Sequence, residues 1–355
     1  MTSGDLYFAQ AEDALQAVRL PTALDLFEKA ERQGYGADLC SAKRWTCHML
    51  LGEFESAWKE SDCISARGRP DPNRFWDGMP IDGRNVLIRC LHGLGDTLQF
   101  VRYARLIRQR ARSLAIEAQP SLKTLLMQAQ IADEVITWGE PEPFWNQQIE
   151  VIELPRVFRT TLNSIPADIP YLTVQGAEPI REYDGSRPLR LGVVWACSGY
   201  NPSRSMPLQE LAALFAIPDV RFFSFQGEPE RSRSAPWREV VDAYDGSGCL
   251  LVTAKRLQTM DLIITVDTMI AHLAGAMGRP VWTLLPFACD WRWMLGRADS
   301  PWYATMRLFR QPRTGDWTSV IESVGHELRT VLRAYPVPAL SSARVGDCVG
   351  PGKVK

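Results

Sequence analysis

Short apolar runs of strand length recur between residues 85 and 311, separated by turns and by segments of helical period. NVLIRCL (85–91), SLAIEA (113–118), EVITW (134–138) and IEVIEL (149–154) form one series. LRLGVVWA (189–196), VRFFSFQ (220–226), DLIITV (261–266), PVWTLLP (280–286) and TMRLFRQ (305–311) form a second. A run that is apolar on both faces suits a parallel strand covered on both sides. Alternation with helices, here expected over 96–111, 122–130 and 316–334, wraps such a sheet. The expected fold class is therefore α/β, with two Rossmann-like doubly wound domains over 83–180 and 188–335. A polar, turn-rich stretch at 176–188 is the expected hinge between them.

The first 68 residues follow a different rhythm, helical throughout. Ala23 and Ala57 stand 34 positions apart, as do Gly34 and Gly68, and Ala23, Phe27 and Ala30 share a helix face. That offset is the period of tetratricopeptide helix pairs. A plain helical hairpin remains the other reading. Two repeats are fewer than a solenoid needs, so this appendage should pack on the next domain or on a partner. A Pro-, Gly- and Asp-rich linker is expected at 69–82, and a disordered tail at 336–355.

Bulk properties exclude several classes. With 46% hydrophobic and 23% charged residues the chain can bury real cores. A net charge of −1 lacks the basic excess of a nucleic-acid binder. No run reaches membrane-spanning length, and the N-terminus shows no signal pattern. The 8 cysteines are scattered without a CxxC pair, and the 4 histidines form no HxxxH or HxH pair. The expectation is a cytoplasmic protein with reduced thiols and no metal site, with peripheral attachment to the inner membrane left open.

Ligands of open α/β sheets bind at the carboxyl ends of strands. The first such turn is Leu91-His92-Gly93-Leu94-Gly95-Asp96-Thr97-Leu98. It looks like GxGxxG, but Leu98 replaces the third glycine, and an acid at a helix start repels a diphosphate. Asp96 is either an ordinary helix cap or a fixed carboxylate able to take a proton from a hydroxyl. At Val266-Asp267-Thr268, Thr268 is a plausible cap, and His272 lies one helical turn on. The same place suits a nucleotide diphosphate or a buried structural histidine. Ser198 and Arg204, after the first strand of the second series, are candidate phosphate contacts. The aromatic segment around Asp290, Trp291 and Trp302 offers walls for a base or a sugar, or interdomain packing. Arg102, Arg105, Arg108, Arg110 and Arg112 read as a solvated basic helix face.

Three long segments, GLGDTLQFVRY (93–103), VDTMIAHLAGAMGRPVWTLLP (266–286) and DWRWMLGRADSPWYATMRLFRQPRTGDW (290–317), resemble the heptosyltransferase-like family, glycosyltransferase family 9, in its branch with tetratricopeptide-like repeats. The resemblance implies a GT-B fold and an inverting, metal-independent glycosyltransferase without a cofactor. Asp96 resembles the family's base. Asp267, Thr268 and His272 resemble donor-holding residues, and Ser198, Arg204 and Gln226 fall at further donor positions. Gly93, Gly95, Thr97 and Gln99, with Asp290, Trp291 and Trp302, are expected to line the cleft or meet the acceptor. The implied partners are a nucleotide sugar and a glycan, lipid-linked or protein acceptor, with the N-terminal helices open to a protein. Relatives typically carry Glu-Gln where Leu91 and His92 stand, and a longer loop after Ser198. These departures motivate an alternative, a binding or scaffold protein of reduced activity; a nucleotide-sugar epimerase-like enzyme is the other.

Overall fold

The apolar runs of the first series pair side by side in parallel. The computed structural model describes residues 2–68, 71, 74–177, 188–197, 199, 201–233 and 240–334. Most of the expected hinge, the tail and Ser198 lie outside these residues. β1 (Asn85–Arg89), β2 (Ser113–Ala118), β3 (Glu134–Thr137) and β4 (Gln147–Glu150) form one sheet in the order β3-β2-β1-β4. β5 (Leu189–Val194), β6 (Val220–Ser224), β7 (Val240–Asp242), β8 (Leu262–Val266), β9 (Val281–Leu285) and β10 (Met306–Arg310) form the second, in the order β10-β9-β8-β5-β6-β7. All pairings among these strands are parallel. The fold class is as expected. β7 carries no long apolar run, which is why it escaped the sequence pattern. The run 149–154 is strand only to Glu150; a single 3-10 turn follows.

Each sheet has one point where strand order reverses. In the first it lies between β1 and β4, and in the second between β5 and β8. Both reversal points open toward the same crevice, because the strands of each sheet present their carboxyl ends there.

The N-terminal helices are α1 (Ser3–Gln16), α2 (Leu20–Arg32), α3 (Ala37–Leu51) and α4 (Phe54–Gly68). α1 and α3 begin 34 residues apart, and so do α2 and α4. Gly52 ends α3 in the left-handed region at φ 78, where a side chain would be strained. The helices do not stand apart. Trp58 Nε1 donates to the Thr160 carbonyl (2.7 Å), and the Leu295 amide donates to the Leu50 carbonyl (2.9 Å). One continuous apolar core runs from Phe27 and Trp58 through Leu98 and Phe100 to Ala271, Trp293 and Trp302. A second core, with Leu191, Ile264 and Trp317, covers the other face of the larger sheet. The expected linker is also packed where it is described: Trp76 and Ile81 are buried, and the Trp76 amide donates to the Gln148 carbonyl of β4 (2.9 Å).

The helix expected over 96–111 is broken. α5 spans Leu94–Phe100, a 3-10 turn covers Val101–Tyr103, and a short helix covers Ala104–Arg108. The carbonyls left at the end of α5 are satisfied from outside. The Tyr171 hydroxyl donates to Leu98 O (2.7 Å), and Arg102 Nε donates to Gln99 O (2.7 Å). Arg102 is therefore not on a solvated face. It is 3% exposed, donates to the Trp302 carbonyl (2.7 Å) and the Tyr171 hydroxyl (3.1 Å), and lies over the Tyr303 ring. It ties the first domain to the second.

Candidate active site

The two reversal points face one cavity of about 1800 Å3. Gly93, Gly95 and Asp96 line it from the first domain, and Arg204, Asp267, Thr268 and Asp290 from the second.

Asp96 is the third residue of α5. Its Oδ2 accepts the Gly93 amide (2.9 Å), which fixes the turn, and its Oδ1 pairs with Arg292. The carboxylate stays about a quarter exposed to the cavity. Arg292 reaches across from the second domain. Its Nε donates to Gln99 Oε1 (2.8 Å) and its Nη1 to Asp290 Oδ1 (2.9 Å). A buried guanidinium shared by two carboxylates holds its proton more tightly than in water, although burial alone acts the other way.

On the second domain, Thr268 caps α6 (Met269–Ala276), its hydroxyl accepting the Ile270 amide (3.3 Å). Asp267, 3% exposed, has its carboxyl pushed upward by burial and by the Asp290 charge. Arg204 sits 3.6 Å from Asp267 and opposes that shift. Its Nε is buried without a hydrogen-bond partner among the described residues. An anion entering here would meet an underused guanidinium beside a helix start.

α5 and α6 pack against each other. A Cβ added at Gly95 would lie 2.8 Å from His272 Cδ2, so only glycine allows this approach. His272 stacks on Trp293 (5.3 Å between centroids), and its Nδ1 bonds the Tyr303 hydroxyl (2.9 Å). Burial first, then the nearby arginines, drive its pKa well down, so the ring is neutral. His272 thus lines the cavity and is at the same time a buried ring hydrogen-bonded in the domain interface.

Three other expected site residues lie behind the cavity wall. Thr97, Gln99 and Trp302 are fully buried and do not line the cavity. Thr97 donates to Gln119 Oε1 (3.0 Å), Gln99 receives Arg292, and Trp302 Nε1 donates to the Arg292 carbonyl (3.0 Å). They hold up the site from behind. Gln226 does line the cavity, and its amide also braces the loop after β5, accepting from Trp195 N (3.2 Å) and Ala196 N (3.0 Å) and donating to Ala196 O (3.2 Å). Trp291 does line the cavity and stacks on Phe100.

Two residues escaped the sequence reading. Arg292 lies inside a segment read for its tryptophans; the Asp-x-Arg spacing with Asp290 was the available signal. Glu150 closes β4 beside the Gly93–Asp96 turn and accepts the Leu91 amide (3.1 Å). Burial, then the Asp96 and Glu153 charges, push its carboxyl up to about 7 despite that bond. Its Oε2 is buried without a partner among the described residues.

No family model matches the sequence. The chain is 23% identical over 329 residues to protein FlbA of Caulobacter vibrioides, covering 81% of this chain and 54% of that protein. It thus spans about half the length of the curated relative it matches. Among solved structures it is similar to the glycosyl transferase family 9 protein of Veillonella parvula, with TM-score 0.52 and 14% identity over 73% of this chain and 100% of that one. It is also similar to E. coli ADP-heptose lps heptosyltransferase II, with TM-score 0.50 and 14% identity over 70% of this chain and 99% of that one. The described fold is the GT-B arrangement of these family 9 structures, two parallel-sheet domains facing a cleft, with four helices added at the N-terminus.

Proposed function

We propose that the chain is an inverting, metal-independent glycosyltransferase that moves a sugar from a nucleotide-diphosphate sugar to an acceptor hydroxyl. One observation carries the reading. The strand-order reversal points of both sheets open into one cavity, with a fixed carboxylate on one side and an arginine beside a helix start on the other.

In this reading the donor lies on the second domain. Its diphosphate takes Arg204 and the first turn of α6, and displaces the loose contact between Arg204 and Asp267. The acceptor hydroxyl approaches from the side of Asp96. Its oxygen bonds to the anomeric carbon as the bond from that carbon to the diphosphate oxygen breaks on the opposite face. The proton passes to Asp96, and the charge leaves with the nucleoside diphosphate, where Arg204 meets it. Arg204 and Arg292 carry the positive potential that a metal supplies in other designs. Arg292 and the Gly93 amide hold the Asp96 carboxylate aimed into the cavity, where it is placed to take the proton.

Asp96→Asn removes the proton acceptor and keeps the shape. Turnover of the donor with acceptor should fall by about 10²–10⁴, with nucleotide affinity within a few-fold of wild type. Near-normal turnover in this variant removes Asp96 from the mechanism.

A further inference from the structure

The cavity exceeds the roughly 300–1,000 Å3 of a usual small-molecule site, so a nucleotide sugar leaves much of it empty. The N-terminal helices wall that remainder. α3 contributes Ala42 and Trp45, and α4 contributes Ser61 and Ile64. Each pair is three residues apart and so shares one helix face. Ile152 and Pro155 of the first domain line the cavity as well. Trp45 also packs on Trp291 (5.0 Å between centroids), which joins this wall to the Asp96–Arg292 pair.

Resting on the transferase reading above, we propose that the N-terminal helices supply the acceptor subsite, and that it takes an uncharged peptide segment presenting a serine or threonine hydroxyl to Asp96. Charge argues first. Arg156 lines this side and is already neutralised by Glu153 (2.8 Å) and Asp62 (3.7 Å). A phosphorylated glycan finds no spare cation among the described residues there. Polarity argues second. A sugar ring needs, beside an aromatic face, several polar groups that read its hydroxyls, whereas this side offers Ser61, His92 and the paired Glu153–Arg156 among Trp45, Trp58, Ile64, Ile152 and Pro155. Side chains of a peptide fit Trp45, Ile64, Ile152 and Pro155 and lose water doing so.

The test uses the full chain and two variants, Ile64→Glu and Ser61→Arg, each followed by its thermal shift with nucleoside diphosphates. The probes are random uncharged peptides with one central serine or threonine, neutral oligosaccharides, and phosphorylated oligosaccharides. The expected result is peptide binding by the wild type that weakens tenfold or more in both variants, with the nucleotide shift retained in all three. Peptide binding unchanged in the variants overturns the proposal. So does binding of either oligosaccharide class in place of peptides, or no probe bound while the nucleotide shift persists. A wild type that no nucleoside diphosphate stabilises overturns the transferase reading itself, and this proposal with it.

Discussion

Asp96 and Glu150 sit beside each other at the end of the first sheet, with different sets of partners. Asp96 has a guanidinium and an amide to meet its charge. Glu150 has backbone amides and no cation bonded to it among the described residues, and burial pushes its carboxyl up to about 7. A carboxyl whose folded pKa lies above its ordinary 4.5 binds its proton more tightly when folded. Its contribution to stability is fully present below 4.5 and is lost as pH rises toward 7. Glu150→Gln should therefore unfold at a higher temperature than wild type at pH 8, by a few degrees, and lose part of the pH dependence between 4.5 and 7. Thermal scans across that window check this; parallel wild-type and variant curves contradict it. At this scale the sequence showed Asp96 through its glycine turn. It hid Glu150, because an acid at a strand end is common and only its burial sets it apart.

The elements meet where α5 and α6 touch. Gly95 lines the cavity, as its place in the turn suggests. Its sharper constraint is the His272 ring behind it. Gly95→Ala should force the helices apart and cost about 1–3 kcal/mol, read as a Tm several degrees lower. An unchanged Tm would show that the interface gives way freely. Helix positions were legible from period and turns, but the break at residues 101–103 was not. It depends on Arg102 and Tyr171, which lie far apart in sequence and meet only in the folded chain. For the same reason an arginine that fits a solvated face by spacing proves to be a buried tie. Thr97, Gln99 and Trp302 follow the same pattern: the motif residues are present, yet they brace the cavity wall from within.

The whole molecule is three packed units sharing one core, and the cavity belongs to all three. Strand alternation made both sheet domains legible, since parallel strands announce themselves as apolar runs. It could not place the N-terminal helices, whose docking face is written in Trp45 meeting Trp291, Phe54 meeting Trp302 and Trp58 donating to the Thr160 carbonyl. Tryptophans in a helix read as local core until their partners are known. The function proposed for this assembly depends on an anion site at Arg204 and the start of α6. Thermal unfolding against a panel of nucleoside diphosphates, with wild type and Arg204→Ala side by side, tests it most directly. The account predicts that at least one diphosphate raises the wild-type Tm, by about 2.7 kcal/mol of added stability at a hundredfold excess over its Kd. At the same concentration Arg204→Ala should show a much smaller shift. No shift with any diphosphate, or an equal shift in Arg204→Ala, contradicts it.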